Sequence, residues 1–453
     1  MTELVYNKID GNEKKIIVLT CISTYYIPFV RLLGSSIKKY HPEWHLVVFL
    51  ADQPPSWLDV KNESCDEIMA LPHLDMGENL SWIFSHDVEE LCTAVKPFVM
   101  DLLLSRPGVK ACFYFDPDMV LFDRLDDLVS SFSTHDILLT PHQVSPEATW
   151  EGIVDNEIGS LRHGIFNLGF LGVSNTENGK ALLSWWKERL FNFCLARVDL
   201  HLWTDQKWFN HVPVFFDKVK ILKNTRFNVA PWNLSNRSIS ISEENFFVDE
   251  KRLGFYHFTG FNSGNHETQA ARYAPENKAV ENLISSYKKH LNEEKKKIGY
   301  FSWAYENYAN GEPIRLIHRI IYRYRQDLQK AYPNPFDPSG YLNWLNVEGK
   351  NEFGELINFV EDKKLDIPQL PNADWIKSFP FPMKWSDSAI YKQEASPLLA
   401  KSERRSFIYV FKKLKYLVSN FLMSSEKRRY WLRMAKHTYR AKGIRGIISQ
   451  IMA

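Results

Sequence analysis

An α/β fold, with a mostly parallel central sheet flanked by helices, is the architecture this sequence predicts. Two observations point to it. Buried-strand patterns alternate with helical ones through the first half of the chain, and polar turns follow strand ends, at Thr20–Ser23 and Asp116–Asp118, where ligands of parallel sheets gather. A third observation adds an extension: beyond about residue 270 the pattern becomes helical and charged, and prolines interrupt it.

Taken in order, Ile16–Thr20 reads as a first buried strand, Pro28–Lys39 as a helix and His45–Leu50 as a second strand. Residues 79–104 are mostly helical in pattern, with Lys96-Pro97 inside, and lead into an apolar strand ending at Asp116. Gly164–Val173 is a glycine-punctuated apolar strand whose strongly polar member is Asn167; its glycines permit close approach of backbone or ligand. Helical patterns cover Gly179–Cys194 and Asp205–Asn210, and Gly254–Gly260 is a short aromatic strand that carries His257. Asn277–Lys297 is helical, Pro333, Pro335 and Pro338 mark a break, and five prolines between 368 and 397 suggest an extended wrapping segment. Three regions are expected: 1–270 as the catalytic unit, 271–400 as a helical and extended wrap, and 401–453 as a basic tail.

A chain of 453 residues with 45% hydrophobic and 14% aromatic residues is folded, and long enough for two or three units. Its five cysteines form no Cys-x-x-Cys pair, which favours a reducing cytoplasm over a disulfide framework. Residues 1–15 are polar, so no signal peptide is expected, and no window has the roughly 18 apolar residues of a membrane span. The net charge of +2 conceals an asymmetry: residues 401–453 hold 14 Lys/Arg and 2 Asp/Glu, so the remainder is acidic. Phe407, Val410, Phe411, Leu414, Leu417, Val418 and Phe421 recur there at helical spacing, with Lys412, Lys413 and Lys415 on the other side. That pattern fits either a helix docked on the body or one lying on an anionic membrane surface. Nucleic acid is not an expected partner, since no recognition module accompanies the charge.

The chemistry concentrates in Phe113-Tyr114-Phe115-Asp116-Pro117-Asp118-Met119-Val120. Two carboxylates one residue apart at a buried strand end suit a hard divalent cation, Mn²⁺ or Mg²⁺, able to carry a diphosphate. Downstream come Phe166-Asn167-Leu168-Gly169, Thr204-Asp205-Gln206 and His257-Phe258-Thr259-Gly260. In this order and spacing the four signals resemble the retaining glycosyltransferases related to glycogenin and the bacterial lipopolysaccharide galactosyltransferases, over roughly residues 14–265. The resemblance implies a Rossmann-like GT-A fold and a nucleotide-sugar donor, a UDP-sugar foremost. It also implies a glycan or lipid-linked acceptor in surface polysaccharide assembly. By the same resemblance Asp116, Asp118 and His257 are metal ligands, Asp116 also nears the donor ribose, and Asn167 contacts the donor sugar. Asp205 and Gln206 sit near the anomeric carbon, Lys96 near the phosphates, and Thr20, Cys21 and Ser23 hold the nucleobase.

Each residue also has a plainer reading. His257 could be a packed core histidine, Asn167 a strand-end cap, Asp205 a helix N-cap and Lys96 an exposed helix lysine. Trp150 and Trp232, in expected loops, are candidates for stacking on an acceptor sugar. The chain departs from the family where Lys207 follows Asp-Gln and where Phe261-Asn262-Ser263-Gly264 replaces an expected lysine. Those departures keep a catalytically degenerate scaffold, docking at a membrane, in view. A haloacid-dehalogenase-type phosphatase also fits Asp-x-Asp-x-Val, but it needs a later acidic pair, and no Gly-Asp dipeptide occurs.

Overall fold

The computed structural model describes residues 15–74, 79–299 and 301–353. They all belong to one compact unit, residues 1–383; the basic tail lies in a second unit, 384–453, outside the described residues.

Seven strands form the central sheet: β1 (Lys15–Ile22), β2 (His45–Leu50), β3 (Glu67–Ala70), β4 (Val109–Phe115), β6 (Ile137–Pro141), β7 (Phe166–Ser174) and β8 (Val219–Ile221), with β5 (Met119–Leu121) outside it. The order is β3-β2-β1-β4-β7-β6-β8. Pairs β3/β2, β2/β1, β1/β4 and β6/β8 are parallel, whereas β7 runs antiparallel to both β4 and β6. The mixed α/β architecture is therefore the expected one, with a reversed strand at its middle. All nine residues of β7 are buried, as a strand covered on both faces requires. Small residues let it fit: a Cβ on Gly172 would meet the Phe113 ring and Leu138 at 3.0–3.1 Å.

Strands β9 (Ile239–Ser242), β10 (Asn245–Val248) and β11 (Lys251–Arg252) form a separate antiparallel sheet, and β12 (Phe255–His257) pairs with β5. The helix Ile27–Tyr40 begins with Pro28 in its first turn, where a missing N–H costs nothing. The stretch expected to be mostly helical is three helices, Leu80–Phe84, Val88–Ala94 and Lys96–Leu104. Asp87 caps the second through the Glu90 N–H (2.8 Å), and Pro97 opens the third. The region expected at Asp205–Asn210 is a 3₁₀ helix, Gln206–His211.

Helix Lys278–Ile298 buries Val280, Leu283, Tyr287 and Leu291 in a cluster with Val229, Tyr256 and Phe258. A second cluster gathers Tyr308, Ile317, Ile321, Tyr322 and Tyr341 around Phe84. The extension thus packs on the sheet-bearing part as far as residue 353; the proline-rich stretch 368–397 lies outside the described residues.

Candidate active site

The chain turns sharply after β4. Asp116-Pro117-Asp118 makes the turn, closed by Met119 N–H to Asp116 O at 3.1 Å, and β5 leads away. Strand β12 then lies antiparallel to β5 with His257 opposite Met119, and the Phe258 N–H donates to Asp118 O (2.8 Å). This pairing carries an imidazole from far along the sequence onto the two carboxylates. His257 Nε2 stands 3.1 Å from Asp118 Oδ1 and 3.7 Å from Asp116 Oδ2, and one ligand atom from each residue falls within 4.8 Å of the others. Gly169 packs beneath: its O accepts from the Asp116 N–H (2.7 Å), and a Cβ there would meet Met119 Cε at 2.6 Å, His257 Cε1 at 2.7 Å and Asp116 Oδ2 at 2.8 Å.

The donor set is two carboxylates and an imidazole, hard and borderline ligands that suit Mn²⁺ or Mg²⁺. Adjacent ligands of an octahedral ion with bonds of about 2.1 Å stand about 3 Å apart, which is the His257–Asp118 spacing. Burial alone would lower the His257 pKa, but Asp118 and then Asp116 outweigh it and hold it above the ordinary value. The site therefore seeks positive charge at the point where these three residues meet.

Lys96 is 5% exposed, so it is not a solvated helix lysine. Its Nζ lies 3.0 Å from Asp205 Oδ2 and 3.7 Å from Asp116 Oδ1, and 4.2 Å from the centre of the Tyr114 ring. The Tyr114 hydroxyl donates to Asp116 Oδ1 (2.8 Å). Burial would discharge this lysine, yet Asp205 and Asp116 hold its pKa above the usual value. Asp205 is pushed up by burial, against the pull of Lys96. Asp205 does precede the 3₁₀ helix, but its carboxylate caps nothing and serves Lys96 instead.

Gln206 is wired rather than free. Its Oε1 accepts from Asn167 Nδ2 (3.2 Å) and from the Leu168 N–H (3.1 Å), while Nε2 donates to His163 O (3.1 Å). Asn167 Oδ1 in turn accepts from Asn228 Nδ2 (3.1 Å). Asn228 is fully buried with φ at +51°, a left-handed conformation that Asn tolerates better than most residues.

A cleft of about 660 Å³ joins these groups. Cys21, Ser23, Lys96, Asp116, Asp118, Asn167, Asp205, Gln206 and His257 all line it. Thr20 does not: it is fully buried in β1, one residue short of the opening. Trp232 lines the cleft edge-on to His257, with ring centres 5.4 Å apart, in a 3₁₀ helix rather than a loop. Trp150 opens a helix, is 75% exposed, and lies outside the cleft. Sequence reading missed His142, His163, Trp203, Tyr26 and Glu89, which complete the walls. Glu89 lies in helix Val88–Ala94, within a stretch read as helical, but the pattern does not say that it faces the cleft; for His163 the local signal is Gly164 after it, which the backbone takes at φ +128°. Burial drives the His142 pKa down to about 4, so its imidazole is uncharged at neutral pH.

No family model matches the sequence. Two uncharacterised proteins of Bacillus subtilis (strain 168) are similar to it. YfnD is 25% identical over 247 residues, 53% of this chain and 76% of YfnD. YfnF is 24% identical over 179 residues, 39% of this chain and 58% of YfnF. Among solved structures, the galactosyltransferase LgtC, crystallised with donor and acceptor sugar analogues, is 14% identical with a TM-score of 0.35, covering 61% of this chain and 95% of LgtC.

Proposed function

We propose that this chain is a metal-dependent glycosyltransferase that moves a sugar from a nucleotide-diphosphate donor, a UDP-sugar foremost, to a glycan or lipid-linked saccharide. The observation that carries the reading is the convergence of Asp116, Asp118 and His257 on one point of the cleft floor, with the Lys96–Asp205 pair beside it. Asp116, Asp118 and His257 would hold Mn²⁺ or Mg²⁺, which when bound supplies charge neutralisation for a departing diphosphate.

The protein's own groups do the rest. Lys96, fixed as a cation by Asp205 and Asp116, faces the same negative charge and needs no reorientation when it develops. In transfer the bond from the anomeric carbon to the diphosphate oxygen breaks, the acceptor hydroxyl oxygen bonds that carbon, and its proton passes to the leaving phosphate. No strong protein base is required. That suits a cleft in which His142, with its pKa lowered to about 4, is a weak base and Asp205 is already paired. Asp205 then stabilises the cationic sugar electrostatically, which fits transfer with retention. Gln206 holds Asn167 and the Leu168 backbone, so its part is to fix the amide that meets the donor sugar. A phosphatase would instead place a second acidic pair by Asp116, whereas here an imidazole and a lysine occupy that position.

Calorimetry with UDP, GDP, CDP and ADP, in Mn²⁺ and then in EDTA, tests the reading. One nucleotide is expected to bind with Mn²⁺ and not with EDTA, and Asp118→Asn should abolish both that binding and turnover. Binding of none of the four would bring forward the non-catalytic scaffold and the phosphatase instead.

A further inference from the structure

The segment 150–163 is a helix turned inside out. It runs from Trp150 through a π-helical turn, Ile153–Glu157, to His163, and Thr149 caps it through the Gly152 N–H (3.0 Å). A surface helix ordinarily buries its apolar stripe. Here Gly152 and Asn156 are buried, and His163 faces the cleft. Asn156 Nδ2 donates to Glu147 Oε1 (2.8 Å), and a Cβ on Gly152 would lie 2.5 Å from that same carboxylate. The outward face is Trp150, Val154, Ile158, Leu161 and Ile165, at 75, 40, 43, 66 and 45% exposure. The first four follow at spacings of four, four and three residues, one helical stripe roughly 17 Å long at 1.5 Å per residue, and Ile165 continues the surface beyond Gly164, where the helix has ended. Polar side chains that could have taken the outward positions are used inside, so the stripe does not follow from a lack of polar residues.

The charges beside the stripe are arranged to match. Asp155 is paired with Arg272 and accepts from the Tyr273 hydroxyl (2.8 Å), and Glu157 accepts from the Glu147 N–H (2.7 Å). Glu151 remains as an exposed acid at the far, Trp150 end. At the cleft end Arg162 and Lys207 flank His163, where both act on its ring electrostatically, and neither has a carboxylate partner among the described residues. The Gln206 Nε2 bond to His163 O holds the two cations on one rim.

We propose that this stripe, with Arg162 and Lys207, lies in the headgroup region of an anionic lipid bilayer and turns the cleft mouth toward it. A narrow apolar line carrying a tryptophan and ending in cations is the pattern of an interfacial helix. A protein partner would call for a broader apolar patch with paired charges. The inference stands apart from glycosyl transfer, since it concerns where the cleft points and not what it catalyses.

Phosphatidylcholine vesicles with and without phosphatidylglycerol provide the test, using the full chain. Flotation should recover the protein with the anionic vesicles, and hydrogen exchange should slow across residues 150–165 when they are present. The surface double variant Ile158→Glu/Leu161→Glu should lose at least about tenfold in partitioning. Three results would overturn the proposal: no binding to anionic vesicles, binding without protection of 150–165, or equal partitioning of the variant. A self-associated chain that the variant makes monomeric, with no effect of vesicles on exchange, would assign the stripe to a second copy instead. Nucleotide binding measured on the same samples keeps this outcome separate from that of the transferase reading.

Discussion

At the residue scale the site depends on partners that are close and buried. Gly169 cannot accept a Cβ without moving Met119, His257 or Asp116. Gly169→Ala is therefore expected to weaken Mn²⁺-dependent nucleotide binding by at least about tenfold, read by calorimetry, since ligand placement within about 0.5 Å matters. Lys96 and Asp205 form a buried pair, so removing Asp205 leaves Lys96 with only the more distant Asp116, at 3.7 Å. Asp205→Asn should lower stability by about 2–4 kcal/mol in denaturant unfolding, and adding Lys96→Met should restore most of it without restoring turnover. Recovery of turnover in the double variant would exclude a charge role for both. That Asp116, Asp118 and His257 come together was legible from the order of the four motifs, His257 only through the family resemblance. The geometry of Lys96 was not, since a lysine's position in sequence does not say which side of its helix faces the sheet. Asn228 left no sign at all: a lone loop asparagine announces neither its left-handed backbone nor its bond to Asn167.

At the scale of elements, the cap of helix Val88–Ala94 offers a pH test. Burial first, then the neighbouring Glu90 carboxylate, push Asp87 up to about 7. Between roughly pH 4 and 7 the native state therefore keeps a proton that the unfolded chain has released, and stability falls as pH rises through that window. Asparagine caps as well as aspartate but carries no charge. Asp87→Asn should raise the melting temperature at pH 8 and leave it nearly unchanged at pH 5; an equal effect at both would assign the cap no titration. Strands β1, β2, β4 and β7 and the helices Ile27–Tyr40, Glu177–Phe193 and Lys278–Ile298 follow from periodicity alone. Strands β3, β6 and β8 are three to five residues long, too short for a pattern to emerge from composition. The direction of β7 was equally hidden, because a strand buried on both faces reads the same whichever way it runs.

At the scale of the molecule, Phe84 ties residues 301–353 to the sheet-bearing part, with ring centres of Tyr308, Tyr322, Phe336 and Tyr341 within 5.9 Å. Phe84→Ala should cost about 3–5 kcal/mol, and limited proteolysis should then cut first within 301–353. Cleavage that begins elsewhere would show the extension held by other contacts. Among the described residues no helix is long and apolar enough to cross a membrane, and the basic tail lies beyond them. The reversal of β7 has a further result. Because Pro141 and Phe166 are opposite each other in the β6/β7 ladder, everything between them leaves and rejoins the sheet at a single rung. Residues 142–165 are thus one excursion between neighbouring strands: replacing them leaves the strand order as it is, but removes the His163 carbonyl that holds Gln206. Such a replacement would also rewrite the outer wall of the cleft and the surface beside it.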